Sequence, residues 1–288
     1  MEVTHIFSSA YSNSKEDLFG EVLKTVPKIQ NKLGHNTSVI MPLYHEESVL
    51  DRSLINVFNG TVVLDRLKFP FSIYQEFSRD LSFDIFLVSI PGLFDCDKIY
   101  SYNDDTEKFL AFQFAILDWF LSKEIIPGII HCHDHQSFLI PFLITQAYKY
   151  EKLKNISTTI LINDSMSQGE FCYDKIRYLP EFNLEAIELL EFENGINSMA
   201  SAMRCSSMVV SVSHDYIIEP KNSNFLVRPL LRSVEKKYPK NLNPKATQFL
   251  VSKSGVINQG LKNSRYKKKA RITTGYRVQP AELVRYYF

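Results

Sequence analysis

Three histidines at alternate positions, His131, His133 and His135, with Cys132 and Asp134 between them, form the densest group of chemistry-bearing side chains in the chain. Side chains two apart on a strand share a face, so such a trio could converge on a metal ion. No second Cys or His cluster offers a fourth ligand. Polar residues at a strand end also serve simply by hydrogen-bonding the neighbouring turns, so no metal is expected. A Cys132–His nucleophile pair is weaker still, because spacing alone names no base or oxyanion partner. The other polar turn, SNSKEDLFG at residues 12–20, contains one glycine. A phosphate cradle needs several, so that backbone N–H groups can approach the oxygens without a Cβ in the way. Glu16 and Asp17 would repel a phosphate, whereas they suit the positive end of a helix dipole. No cofactor is expected.

The elements that must position these groups alternate. Apolar periodicity predicts strands at residues 3–9, 37–41, 83–89, 128–132, 158–162 and 208–212. Helices are predicted over 18–33, ending at Gly34, and over 106–122, 137–150, 184–190 and 196–203. Residues 54–64, interrupted by Asn59 and Gly60, read as a hairpin. Repeated strand-then-helix units imply an α/β fold, a Rossmann-like doubly wound parallel sheet. Ligands of such sheets bind at the carboxyl ends of the strands, where the winding reverses.

With 288 residues, 45% hydrophobic and 23% charged, the chain can bury a large core, which excludes disorder throughout. Its four cysteines, Cys96, Cys132, Cys172 and Cys205, are scattered, which argues against a zinc ribbon or a disulfide scaffold and fits a reduced, cytoplasmic setting. No membrane association is expected, since no apolar run reaches the length of a span. The net charge of +1 conceals an asymmetry. From Arg232 onward there are 14 Lys and Arg against Glu235 and Glu282, a net of +12, which leaves −11 for the remainder. The expected division is therefore a domain over residues 1–220 and a basic C-terminal extension over 221–288. The densest basic run, RYKKKAR at 265–271, could contact an anionic polymer such as nucleic acid, although a solvated basic extension accounts for it more simply.

Several motifs in order carry a family resemblance: PKIQNKLGH at 27–35, running on into GHNTSVIMP at 34–42; IPGLFD at 90–95, with Ile99 and Tyr100; DDTEKF at 104–109; IHCHD at 130–134; QAYKYEKLK at 146–154; YDKIRYLPEF at 173–182; and SVS at 211–213. From residue 1 to about 220 the chain resembles the N-terminal domain of bacterial glycogen and starch synthases. The resemblance implies one of the two facing Rossmann-like domains of a GT-B glycosyltransferase that moves glucose from ADP-glucose to an α-1,4-glucan.

The departures fall on the family's site. In its nucleotide-sugar loop Lys15 is kept, but Asp17 and Leu18 stand for glycines and Glu21 for an aspartate. In its His-x-His-Asp-Trp-His turn His131, His133 and Asp134 persist, while His135 replaces the tryptophan and Gln136 the last histidine. Its His-Asn-x-x-x-Gln-Gly turn becomes NDSMSQG at 163–169, and a later signature survives faintly as VINQG at 256–260, around Asn258. By family position the candidate substrate-binding residues are Lys15, Glu21, Tyr100, Asp104, His133, Asp134, Gln136 and Asn258. The resemblance implies α-glucan, ADP-glucose or a partner glycogen synthase as what the chain meets. The expected reading is a truncated, degenerate synthase homologue that does not catalyse transfer alone. Two alternatives stand beside it: an active transferase with a second chain supplying the other domain, and a nucleic-acid-associated protein using the basic extension.

Overall fold

The computed structural model describes residues 1–8, 18–44, 53–77, 82–95, 105–123, 126–162, 168–192 and 195–211, the side chains of residues 18–24 and 211 set aside. Lys15, Tyr100, Asp104, Asn258 and the boundary near residue 220 with its basic extension lie outside these residues.

Eleven strands and four α-helices occur among the described residues. The strands are β1 (Glu2–Ile6), β2 (Asn36–Pro42), β3 (Leu54–Leu64), β4 (Leu67–Glu76), β5 (Asp84–Ser89), β6 (Ile129–His133), β7 (Ser157–Ile162), β8 (Glu170–Phe171), β9 (Glu191–Phe192), β10 (Gly195–Asn197) and β11 (Met208–Ser211). The helices are α1 (Leu18–Lys32), α2 (Asp105–Ser122), α3 (Ile140–Gln146) and α4 (Ser198–Cys205). Eight strands form one sheet in the order β11-β7-β6-β1-β2-β5-β4-β3. From β11 to β5 the neighbours run parallel, and the β3–β4 hairpin adds an antiparallel margin. The doubly wound sheet expected from the sequence is present with this addition. A separate three-stranded sheet, β8-β10-β9, was not foreseen.

One face of the sheet packs Ile6, Ile40, Val88, Ile130 and Cys132 into the main core with α2, α3 and α4. Helix α2 is apolar nearly all round because it is buried nearly all round, from Phe109 to Phe120. No described helix is long and apolar enough to cross a membrane. The opposite face carries Phe7, Val39, Met41, Ile85 and Leu87, packed with Val26 of α1.

Three expectations change. Asn59 and Gly60 do not turn the chain: β3 runs straight through them, and the turn falls at Asp65 and Arg66, between the paired Leu64 and Leu67. A Cβ on Gly60 would lie 2.6 Å from the Phe71 ring across the hairpin, so the glycine makes room for an aromatic neighbour. Asn59 is held by Asn56 and Ser72 instead of by a turn. The single helix over 137–150 is broken at Ala147, which takes an extended conformation and bridges to Phe182; a 3₁₀ segment, Tyr148–Leu153, follows it. The helices near 184 and 196 become the 3₁₀ segment Leu184–Leu189 and, past β10, a helix starting at Ser198.

The candidate site at the β1–β6 switch point

The winding reverses at β1, which pairs with β2 on one side and β6 on the other, so the crevice of the sheet opens at the carboxyl ends of β1 and β6. Beyond β1 come Phe7 and Ser8; beyond β6 comes the turn 134–137. The register sets His5 directly beside His131. His131 and His133, two apart on β6, share that face, which is the side of α1.

Three histidine rings therefore meet in the interior. His5 stacks on His131 with ring centroids 4.5 Å apart, and His133 stacks on Phe7 at 3.7 Å. His5 Nδ1 and His133 Nε2 are hydrogen-bonded at 3.0 Å, and His5 Nε2 lies 2.6 Å from Gln30 Oε1 of α1. Burial lowers the pKa of His5 to about 4, only partly offset by the Gln30 bond. Burial likewise pushes His131 and His133 well down, and the neighbouring histidines push them further. The stack is neutral at ordinary pH.

Gln30 is placed by the end of α1. Gly34, with φ of +89°, closes a Schellman cap in which Gly34 N–H donates to Asn31 O and His35 N–H to Gln30 O. The helix end predicted at Gly34 thus fixes the residue that reaches His5.

The turn after β6 is strained and firmly held. Asp134 adopts φ 62°, ψ 171°, a region nearly reserved for glycine. Ser137 Oγ donates to both His133 O and Asp134 O at 3.1 Å, and the 3₁₀ segment His135–Ser137 follows. Gln113, buried on α2, accepts from Leu139 N–H at 2.8 Å and Ile140 N–H at 3.1 Å, capping the start of α3 from another helix. Gln136 is 3% exposed, and its Oε1 has no hydrogen-bond partner among the described residues.

A second segment joins this turn. Gly169 takes φ +67°, and a Cβ there would meet Ser198 at 2.9 Å and His135 at 3.3 Å. Gln168 Oε1 accepts from Asn197 Nδ2 at 2.8 Å, while Asn197 Oδ1 caps Ala200 N–H at the start of α4. The Gln-Gly end of NDSMSQG is thereby fastened to α4 and packed on His135. Farther along, Lys175 pairs with Glu107 at 2.8 Å, tying the segment 173–178 to the first turn of α2.

Of the residues proposed from sequence, the structure brings His133, Asp134 and Gln136 together. Glu21 lies within α1, in the stretch whose side chains are not described. Cys132 points to the opposite face, into the main core, and burial raises its thiol far above the ordinary range, so a Cys–His nucleophile pair is ruled out. Among the described residues no group of three or more His, Cys, Asp or Glu is arranged to hold a metal. His133 spends Nε2 on His5, and His135 has left the strand to pack edge-on against Phe109. His5 and Gln30 were missed; the only hint was a histidine between the apolar Val3 and Ile6 of a short strand.

Comparison with known proteins agrees with this geometry. Residues 7–228 match the starch synthase catalytic domain family. A glycogen synthase of Flavobacterium johnsoniae is 36% identical across 98% of this chain, which covers 61% of that protein. One from Vibrio cholerae is 26% identical over 74% of this chain and 45% of its own length. The chain thus spans less than two thirds of these relatives. The catalytic domain of Arabidopsis thaliana starch synthase IV, solved with ADP and acarbose, superposes with a TM-score of 0.68 at 20% identity, over 83% of this chain and 50% of that one, which shows a shared fold. The family match over residues 7–228 and the 36% identity to a glycogen synthase show that the chain belongs to the starch synthase catalytic domain family.

Proposed function

We propose that the chain binds α-1,4-glucan at the carboxyl ends of β1 and β6 and does not by itself transfer glucose from ADP-glucose. The observation that carries this reading is Gln136, a buried carboxamide with an unpartnered Oε1 where the family's turn has a histidine. A carboxamide hydrogen-bonds sugar hydroxyls as well as an imidazole does, so glucan recognition survives the replacement. It carries no titratable proton. Asp17 and Leu18, where the family's nucleotide loop has glycines, add a negative charge and two side chains against a diphosphate.

Affinity electrophoresis in glycogen-containing gels, run beside incorporation of labelled glucose from ADP-glucose, tests both halves. The expected result is retardation of the wild type, reduced in Gln136→Ala, with no incorporation above a protein-free control. A wild type that glycogen does not retard ends the binding reading. Incorporation by the chain alone ends the non-catalytic one. Incorporation above that of an added glycogen synthase alone would favour the reading in which a second chain supplies the facing domain.

A further inference from the structure

The hydrogen bonds beneath the crevice have a direction. Gln30 Oε1 lies 2.6 Å from His5 Nε2, while Gln30 Nε2 has no hydrogen-bond partner among the described residues; with the amide oriented this way, His5 carries its proton on Nε2. A neutral imidazole has one N–H, and His5 Nδ1 is therefore a bare lone pair. It lies 3.0 Å from His133 Nε2, which must then be the donor. His133 is left with its lone pair on Nδ1. That nitrogen is buried and has no hydrogen-bond partner among the described residues. Its ring cannot turn freely, because it stacks at 3.7 Å on Phe7.

We infer that Gln30 and His5 are positioning residues that lock His133 in its Nε2–H tautomer, so that Nδ1 is presented at the switch point as an acceptor for a ligand hydroxyl. The inference rests on the glucan-binding reading and deepens it, because it fixes what the ligand must offer. An acceptor-only nitrogen pairs with an O–H. It repels the diphosphate oxygens of a nucleotide sugar, which also only accept. Gln136 Oε1, three residues along the same turn, is a second unpartnered buried acceptor. Both groups call for a neutral, donor-rich ligand, which describes a sugar ring better than a nucleotide diphosphate. The Schellman cap at Gly34 gives the relay its rigidity, since Gln30 contributes its carbonyl to the cap and its side chain to His5.

The test is a long-range proton–nitrogen NMR spectrum of the full chain labelled with ¹⁵N-histidine, at neutral pH, with His133 assigned by its loss in His133→Gln. The expected pattern is a protonated Nε2 and a bare Nδ1 at both His5 and His133. A proton on His133 Nδ1 overturns the inference without reference to any ligand. Maltohexaose should then shift the His133 Nδ1 signal, and inorganic sulfate, an acceptor-only anion, at equal concentration should not. A shift with sulfate alone overturns it. So does an Nδ1 unmoved by maltohexaose while glycogen still retards the chain, an outcome that leaves the binding reading intact. Gln30→Leu removes the acceptor that orients His5. It should convert His133 to a mixture of tautomers and weaken maltohexaose binding by about tenfold, the effect of one lost hydrogen bond. A merely structural Gln30 would leave the tautomer of His133 unchanged.

Discussion

Acid should destabilise this protein through its histidine stack well before its carboxylates titrate. Burial lowers His5 to about 4 from an ordinary 6.5, and His131 and His133 move the same way for the same reason. A histidine with a depressed folded pKa takes up its proton more readily in the unfolded chain. The stability it contributes is thus fully present above pH 6.5 and is lost as pH falls toward the folded value. At about pH 5, His5 alone costs roughly 2 kcal/mol, from ~1.4 kcal/mol for each unit below 6.5. His131 and His133 are shifted in the same direction and add to this loss, which is already a sizeable part of the stability of an ordinary domain. Aspartates and glutamates of the unfolded chain remain largely ionised there and add little. Urea unfolding, followed by the fluorescence of the single tryptophan, Trp119, which lies 5% exposed in the main core, gives the measurement. His131→Phe keeps a ring against His5 while removing one titration, so its stability should fall less than the wild type's between neutral pH and about pH 5. Equal wild-type stability at the two pH values would refute the neutral buried stack.

Gly169→Ala puts a Cβ at positive φ and 2.9 Å from Ser198, and it should destabilise the fold by about 2 kcal/mol in the same urea assay. Because Gly169 also backs His135, glycogen retardation should weaken with it. Gln113→Leu fills similar space but leaves the N–H groups of Leu139 and Ile140 without an acceptor, at a cost of about 2 to 3 kcal/mol. A substitution at Gln113 that changes neither stability nor glycogen retardation would show that the turn after β6 does not depend on this cap.

How much of this could be read from the chain depended on the distance over which each signal acts. The end of α1 was legible because its cause is local: a glycine at positive φ closes the cap within five residues of Gln30. The strands of the parallel sheet were legible because each shows its own apolar run, whereas β4 and the short strands β8, β9 and β10 were not. Asn59 and Gly60 misled for the complementary reason. A local hairpin signal was overridden by Phe71, eleven residues on, whose ring needs the space a side chain at Gly60 would fill. The break at Ala147 likewise depends on Phe182, far along the sequence. At the site, His133, Asp134 and Gln136 could be named from their family motif, but their environment could not. The neutrality of His133 depends first on its burial in the packed sheet, and then on His5, 128 residues away, and on a parallel register that sets His5 against His131. Nothing in either strand's own sequence specifies that register. Parallel strands are joined through helices rather than through a turn that would fix their pairing. The relay from Gln30 to His133 draws on three elements, α1, β1 and β6, and only the packed sheet brings them together. A motif can therefore mark where ligand chemistry belongs, whereas the protonation pattern that decides which ligand fits is a property of the assembled fold.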